Sequence, residues 1–389
     1  MDSNISLAYL LLGLFMVKLT GLLTRRVGVG ELAGYALGGL VVGLFLKDSI
    51  TPEFLGILAS LSSMFVVFYA GLTSSYREVS SSALETLEIS ACSMGVSFLV
   101  FYVYLTQILH VPSTLSVLVS LLMSNTATEV SSLLTSRLPS RLKSLLVSAS
   151  FFDDVAILVL TSILYVVYSG GNPTGPIITS IFSMVLVVLI LRSKAFKSLM
   201  EKFFQNISVD DYLFVTASLI ALYAVTTLLT YFTSSGLIIG AYLAGLLLSM
   251  GVGIRDPLLR FVPRYLELKN TISDVLDGVF APLFFLFVGV LFDMKSVDVF
   301  LAIILITLAS LSKISIYAMY SLRKGYDIKT SLIAGFSMNG RGVLEVTLLT
   351  IGRTVGVLPP VFFNTLLLAS YMTIVLSIIG SSILLRVVK

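Results

Sequence analysis

Stretches of about 20 apolar residues recur along almost the whole chain, and each is long enough to cross the hydrocarbon core of a bilayer as a helix. Only 12% of the 389 residues are charged, which is too few to cover the surface of a soluble protein of this size. We therefore predict an all-α integral membrane protein with about 13 transmembrane helices, at residues 5–23, 30–46, 53–73, 84–109, 113–135, 142–168, 175–192, 211–231, 235–250, 272–292, 298–321, 329–352 and 360–386.

The basic residues divide unequally between the two sides of this predicted topology. Of the 25 Lys and Arg residues, 19 fall on the side of the C-terminus, and 3 fall on the other side, namely Lys47, Lys295 and Arg353. Because basic residues collect in cytoplasmic loops, we expect a plasma-membrane protein with its N-terminus outside and its C-terminus in the cytoplasm. The loops are short, so we also expect residues 1–389 to form a single transmembrane unit without a soluble regulatory domain.

Two adjacent carboxylates, Asp153 and Asp154, lie inside the sixth predicted span with apolar residues on both sides. A charge at mid-membrane costs on the order of 2.5–3.5 kcal/mol, so such a residue needs a partner or a water-filled site. Neighbouring helical residues point about 100° apart, which predicts one carboxylate on an ion and the other on a neighbouring group. Ser150 shares the face of Asp154 and is a candidate further ligand. The alternative is a carboxylate pair solvated near a helix end.

Lys313, Arg341 and Glu345 are further charged residues within predicted spans. We expect Lys313, in the eleventh span, to pair with Asp153, although its long side chain could instead reach the cytoplasmic interface. Arg341 and Glu345 lie four residues apart in GFSMNGRGVLEVTLL, with Asn339 beside them. We expect this pair to share one helical face and to form an internal structural ion pair, in a helix weakened by two glycines.

A second polar break covers residues 124–132 of the fifth span, within the stretch MSNTATEVSS. Unwound backbone is tolerated at membrane depth only where it faces protein or a water-filled cavity. Glu129, within this run, is either a further acid in the pathway or the partner of a nearby base. The interrupted spans are the fifth and the twelfth, and paired broken helices in corresponding halves indicate an inverted-repeat transporter with a site at the midplane.

An ordered set of sequence blocks resembles the monovalent cation:proton antiporter superfamily, in the double-aspartate branch that includes bacterial sodium/proton antiporters and Kef-type exchangers. The blocks are RVGVGELAGYALGGLVVG, FVVFYAGLTSS, SASFFDDVAIL, SSGLIIGAYLAGLLLS, APLFFLFVGVLFDM and MNGRGVLEV. The resemblance runs through nearly the whole chain. It implies a secondary active antiporter that exchanges a monovalent cation for protons by an elevator-type alternating-access mechanism.

The resemblance also implies roles for individual residues. Asp154 is expected to bind the cation and the proton, Asp153 to pair with Lys313, and Thr126 to lie where two unwound helices cross. Glu129 departs from the expected pattern, because an acid is not expected there. The spans are expected to divide into scaffold and dimer helices at about 5–73 and 211–292, core helices at about 84–168 and 298–386, and a linker helix at about 175–192.

Sodium is the expected cation, with lithium as a further substrate, and the protein is expected to be a homodimer in the lipid bilayer. We expect no cofactor, no nucleic-acid partner and no enzymatic activity. The alternatives are a potassium/proton antiporter or a potassium efflux transporter, then a cation channel, and then an ion sensor that does not transport. A channel is disfavoured because no TVGYG filter sequence is present.

Overall fold

The computed structural model describes residues 3–26, 31–46, 52–73, 83–135, 138–168, 211–232, 236–250 and 261–386. Within these ranges every regular element is helical. The α-helices are α1 (Ser3–Arg26), α2 (Glu31–Leu46), α3 (Pro52–Thr73), α4 (Ala83–Val103), α5 (Ser113–Met123), α6 (Thr128–Leu134), α7 (Ser140–Tyr168), α8 (Asp211–Phe232), α9 (Gly236–Met250), α10 (Phe261–Val275), α11 (Ala281–Leu291), α12 (Val299–Arg323), α13 (Ile328–Ser337), α14 (Val343–Thr354) and α15 (Pro360–Arg386).

The described helices are long and apolar enough for a membrane protein. Seven stretches of the described chain could each cross a bilayer by length and composition, at Leu7–Arg26, Leu84–Ile108, Ser140–Tyr165, Leu213–Thr230, Val262–Leu291, Val299–Arg323 and Pro360–Leu384. Every predicted span except the seventh has a helical counterpart in the described residues. The seventh, at residues 175–192, lies outside them. The prediction of a multi-pass, all-helical membrane protein is confirmed.

Both predicted interruptions are present. The chain leaves the helix between α5 and α6, at residues 124–127, and again between α13 and α14, at residues 338–342. The first break is shorter than the polar run that predicted it, because α6 begins at Thr128 and includes residues 128–132. Helices α4 and α10 each continue as one π-helical turn, at Tyr104–Ile108 and Leu276–Phe280.

The tenth span begins earlier than predicted. The predicted tenth span, 272–292, leaves residues 261–271 between two spans, but they form most of α10. The physical reason is an amphipathic pattern: Tyr265, Leu268 and Ile272, spaced three and four residues apart, are buried, whereas most residues between them are exposed. Charged residues on the outer face of a helix do not interrupt it.

The chain separates into two compact units. One consists of Met1–Ser62, Ser82–Ile157 and Asp277–Lys389, and it contains both broken helices and both aspartates of the acid pair. The other consists of Ser63–Ser81 and Leu158–Leu276. The division into a moving core and a dimerising scaffold concerns motion, and it stays a prediction.

Within the first unit, α2 packs against α1 and α11, and α12 packs against α4, α13 and α15. The approach of α2 to α11 requires glycine, because a Cβ built on Gly39 would lie 2.3 Å from the Phe285 carbonyl oxygen. A Cβ on Gly289 would lie 1.8 Å from the Gly39 oxygen. Small residues of this kind allow membrane helices to pack backbone against backbone.

The loop before α13 carries a titratable helix cap. Asp327 is the N-cap residue of α13, and its side chain accepts a hydrogen bond of 3.1 Å from the Thr330 backbone N–H. Hydrogen bonds from Thr330, through its side chain first and its backbone second, lower the pKa of the Asp327 carboxyl.

Candidate functional site

Helix α7 carries Asp153 and Asp154, whose exposed fractions are 0% and 2%. The two carboxylates point to different neighbours, as their angular separation on a helix requires. Asp154 contacts the first break and the start of α6, whereas Asp153 contacts α4 and α12. The two carboxylates therefore have separate sets of contacts, and the binding of an ion by one of them stays a prediction.

Asp154 contacts polar side chains from the first break and from the first residue of α6. The Thr128 hydroxyl donates to its Oδ2 at 2.5 Å, and the Asn125 Nδ2 donates to its Oδ1 at 3.3 Å. All three residues are buried, and the Asn125 Oδ1 has no hydrogen-bond partner among the described residues. Carboxylate, hydroxyl and amide oxygens can replace the hydration shell of a small cation, so this group has the composition of a cation site.

Asp153 forms a buried ion pair with the intramembrane lysine. The Lys313 Nζ lies 3.0 Å from the Asp153 Oδ2, and both side chains have exposed fractions of 0%. The Ser90 hydroxyl donates to the other carboxylate oxygen at 2.6 Å, and Lys313 also donates to the Ser93 hydroxyl at 2.9 Å. The alternative to this pairing was that the Lys313 side chain extends to the cytoplasmic interface. In this structure it pairs with Asp153 instead.

Ser150 lies one turn before Asp154 and joins α7 to α6. Its hydroxyl lies 2.7 Å from the Ser131 hydroxyl, and it donates to the Val147 carbonyl at 2.9 Å. These bonds tie the helix of the aspartates to the short helix that begins at Thr128. Ser150 thus fixes the position of α6 beside the aspartates. Its role as a direct ion ligand stays a prediction.

The two breaks cross each other next to the acid pair. The Thr126 hydroxyl donates to the Met338 carbonyl at 3.1 Å, and the Ala127 N–H donates to the Gly340 carbonyl at 3.0 Å. These bonds satisfy backbone groups that leave the helix at membrane depth, which would otherwise cost several kcal/mol each. The expected place of Thr126, at the crossing of two unwound segments, is where the structure puts it.

Arg341 connects the second break to the end of α5. Its guanidinium donates to the Asn339 carbonyl at 2.7 Å and to the Met123 carbonyl, which belongs to the last turn of α5. Carbonyl groups at a helix C-terminus lack partners within the helix and carry partial negative charge. A buried arginine at this place therefore stabilises the half-helix that leads into the site.

Arg341 and Glu345 do not share one helical face, contrary to the sequence expectation, because Arg341 lies in the break and α14 begins only at Val343. The pair is nevertheless close, with 3.5 Å between the Arg341 Nε and the Glu345 Oε2, and both side chains are fully buried. The Ser370 hydroxyl donates to the other Glu345 oxygen at 2.5 Å. Asn339 completes this network through a bond of 3.1 Å to the Ser310 hydroxyl.

Sequence reasoning missed four site residues that the structure brings to the acid pair or to Lys313. Asn125 and Thr128 lie inside the polar run that predicted the first break, so the run pointed to them without selecting them. Ser90 and Ser93 carried no signal beyond a spacing of three, which places two residues on one helical face. Glu129 lies in α6, and its side chain is outside the described residues.

Comparison with known families agrees with this geometry. Residues 11–387 match the model of the family described as "Sodium/hydrogen exchanger, transmembrane". The chain belongs to this family. Its members are membrane transporters, so the chain is a cation/proton antiporter by family rather than an enzyme.

Individual relatives are distant but cover nearly the whole chain. The chain is 22% identical over 368 residues to the Na(+)/H(+)-K(+) antiporter GerN of Bacillus cereus, covering 92% of this chain and 91% of GerN. It is 23% identical over 420 residues to the Na(+)/H(+) antiporter NhaS4 of Synechocystis sp., covering 100% and 98%.

A solved structure of another protein supports the fold independently. The sodium proton antiporter MjNhaP1 of Methanocaldococcus jannaschii at pH 8 has a TM-score of 0.73 to this chain at 17% identity. The match covers 98% of this chain and 97% of that one. At this identity the likeness concerns the fold alone.

Proposed function

We propose that this exchanger moves sodium, and also lithium, in exchange for protons that compete with the cation for Asp154. The observation that carries the proposal is the placement of Asp154. It is a carboxylate with an exposed fraction of 2%, in contact with Thr128 and Asn125 at the point where a helix is interrupted. Under this proposal, exchange requires one carboxylate that binds either the cation or the proton, and two conformations that open the site to opposite sides of the membrane.

Competition follows from the chemistry of a single buried carboxylate. A bound cation favours the ionised form of Asp154, whereas a bound proton removes the charge that holds the cation. The Asn125 Oδ1, which has no hydrogen-bond partner in the described part of the chain, and the Thr128 oxygen supply further ligands for the cation. If only the loaded forms of the carrier cross between the two access states, cation flux in one direction drives proton flux in the other.

The neighbouring ion pair supplies a second proton-binding group. When Asp153 changes partner, Lys313 loses the opposite charge 3.0 Å away that stabilises its ammonium. Release of a proton from Lys313 at that step makes exchange electrogenic, with more than one proton for each cation. A measured ratio of one proton to one cation, with no current, would remove the lysine from the cycle.

Potassium is the second candidate cation. The printed name of GerN includes potassium, whereas that of NhaS4 does not, and both relatives cover more than nine-tenths of this chain. The oxygen ligands around Asp154 suit either ion. Sodium is preferred because the family description and both names include it.

We further propose a homodimer in the plasma membrane that works by an elevator motion, with the N-terminus outside and the C-terminus in the cytoplasm. The excess of basic residues on one side of the predicted topology supports this orientation. In a chain whose single cysteine is replaced (Cys92→Ala), a new cysteine at Lys295 should react with an impermeant reagent from outside. A cysteine at Lys324 should react only from the cytoplasmic side.

The exchange activity is tested with the purified protein in liposomes that carry a pH gradient. Addition of sodium, lithium or potassium should dissipate the gradient, and Asp154→Asn should abolish this response. Asp274→Asn, which removes an exposed carboxylate on α10, serves as the matched control and should retain it. If no cation moves protons under gradients of either sign, or if Asp154→Asn remains active, competition at Asp154 is wrong.

A further inference from the structure

Helix α4 presents a row of buried hydroxyl groups to the Asp153–Lys313 pair. Ser90 and Ser93 have exposed fractions of 4% and 0%, and they lie three residues apart on one face of the helix. Neither serine contacts the Asp154 ligands in the bonds described above. Their position beside a fully buried charge pair is therefore a feature that competition at Asp154 does not explain.

A buried ion pair is stable only when its remaining donors and acceptors are also satisfied. Lys313 donates to the Asp153 Oδ2 and to the Ser93 Oγ, and its ammonium also lies 5.9 Å from the centre of the Tyr317 ring. The Asp153 Oδ1 accepts a hydrogen bond of 2.6 Å from the Ser90 hydroxyl. Each serine thus supplies one partner that the opposite charge cannot supply.

The two serines bond to different members of the ion pair. Ser90 fixes the carboxylate, because a hydrogen bond from a hydroxyl to an ionised oxygen is short and strong. Ser93 accepts from the ammonium, so Lys313 keeps one oxygen partner when Asp153 gives up the ion pair. Ser90 and Ser93 thus contact both members of the ion pair from one helix, and we call these two residues the bracket.

We propose that Ser90 and Ser93 are positioning residues that hold Asp153 and Lys313 in register while the pair opens and re-forms during transport. The proposal rests on the proposed function for the step in which Asp153 changes partner. The bracket acts through Asp153 and Lys313 and does not touch the cation. Its loss should therefore slow turnover and leave the apparent affinity for the cation unchanged.

The kinetic test compares Ser90→Ala and Ser93→Ala with wild type in liposomes, using sodium-dependent proton movement. Each variant should lower the maximal rate at least tenfold while the KM for sodium stays within twofold. Ser90→Thr and Ser93→Thr keep the hydroxyl and should restore the rate. Ser97→Ala is the matched control, because Ser97 lies one turn further along α4 and bonds to Ser312 at 3.2 Å. A general packing defect would instead lower the rate in the threonine variants as well.

A mutant cycle followed by thermal unfolding tests the contact between Ser90 and the ion pair independently of transport. Ser90→Ala should lower the unfolding temperature by about 2–4 °C in the wild-type background. It should have no effect when Asp153→Val and Lys313→Met have already removed the pair, because the hydroxyl then has no charge to hold. An equal shift in both backgrounds, or unchanged kinetics in both alanine variants, would overturn the proposal. If Asp154→Asn still exchanges ions, the proposed function fails while this cycle still reports on the bracket.

Discussion

Replacing Lys313 by methionine should destabilise the protein far more than replacing any surface lysine. Lys313 and Asp153 both have exposed fractions of 0%, so the change leaves a buried carboxylate with only the Ser90 hydroxyl as a described partner. Breaking a buried pair in this way costs about 3–5 kcal/mol, which reduces the folded-to-unfolded ratio by more than about 100-fold. Lys324→Met is the matched control, because its pair with Glu85 is about 40% exposed. Such a surface pair contributes below about 1 kcal/mol.

The second arm of this experiment removes both charges. Asp153→Asn combined with Lys313→Met leaves no uncompensated ion, so its unfolding free energy should return to the wild-type value or exceed it. The measurement is equilibrium unfolding in detergent micelles, followed by loss of helical circular dichroism. Wild-type stability in Lys313→Met would refute the buried pair, as would a double variant no more stable than the single one. The double variant should lose electrogenicity, because the second proton is proposed to come from Lys313, so stability and transport depend on the pair for different reasons.

Three further results follow from the described contacts. Thr128→Val removes the hydroxyl that donates to Asp154 at 2.5 Å, so the KM for sodium should rise roughly tenfold, and Thr128→Ser should restore it. Gly39→Ala should prevent stable folding because its Cβ would meet backbone at 2.3 Å, whereas Gly278→Ala meets nothing within 4 Å and should fold, as judged by gel filtration. The Asp327 cap, whose pKa is lowered, should contribute stability at neutral pH that is lost as the pH falls through its folded pKa. In Asp327→Asn, thermal melts should lack that part of the pH dependence.

Much of the architecture could be predicted from the sequence because membrane burial leaves few options. Apolar stretches of bilayer length must form helices, and glycine or polar runs inside them mark the breaks. The same physics pointed to Asp153 and Lys313 as partners, since a charge inside a span needs a counter-charge. The tenth span was predicted to begin too late because its apolar stretch starts near residue 272, whereas an amphipathic period extends the helix back to Phe261.

The partners of Asp154 could not be chosen from the sequence. Once the chain leaves the helix at residues 124–127, the helical period no longer tells which side chain faces which neighbour. The segment that carries Asn125 and Thr128 is held instead by bonds from Thr126 and Ala127 to the second break, more than 200 residues away along the chain. Arg341 illustrates the same limit, because its partner in the last turn of α5, Met123, is a backbone carbonyl and leaves no trace in sequence.

Competition between proton and cation at Asp154 is tested most directly by the pH dependence of sodium KM in liposomes. If one proton and one sodium ion exclude each other from this carboxylate, the KM should fall about tenfold for each unit of rising pH in the acidic range. The maximal rate should stay constant over the same range. A KM that does not change with pH, while the maximal rate does, would place the proton on a different group and contradict the account.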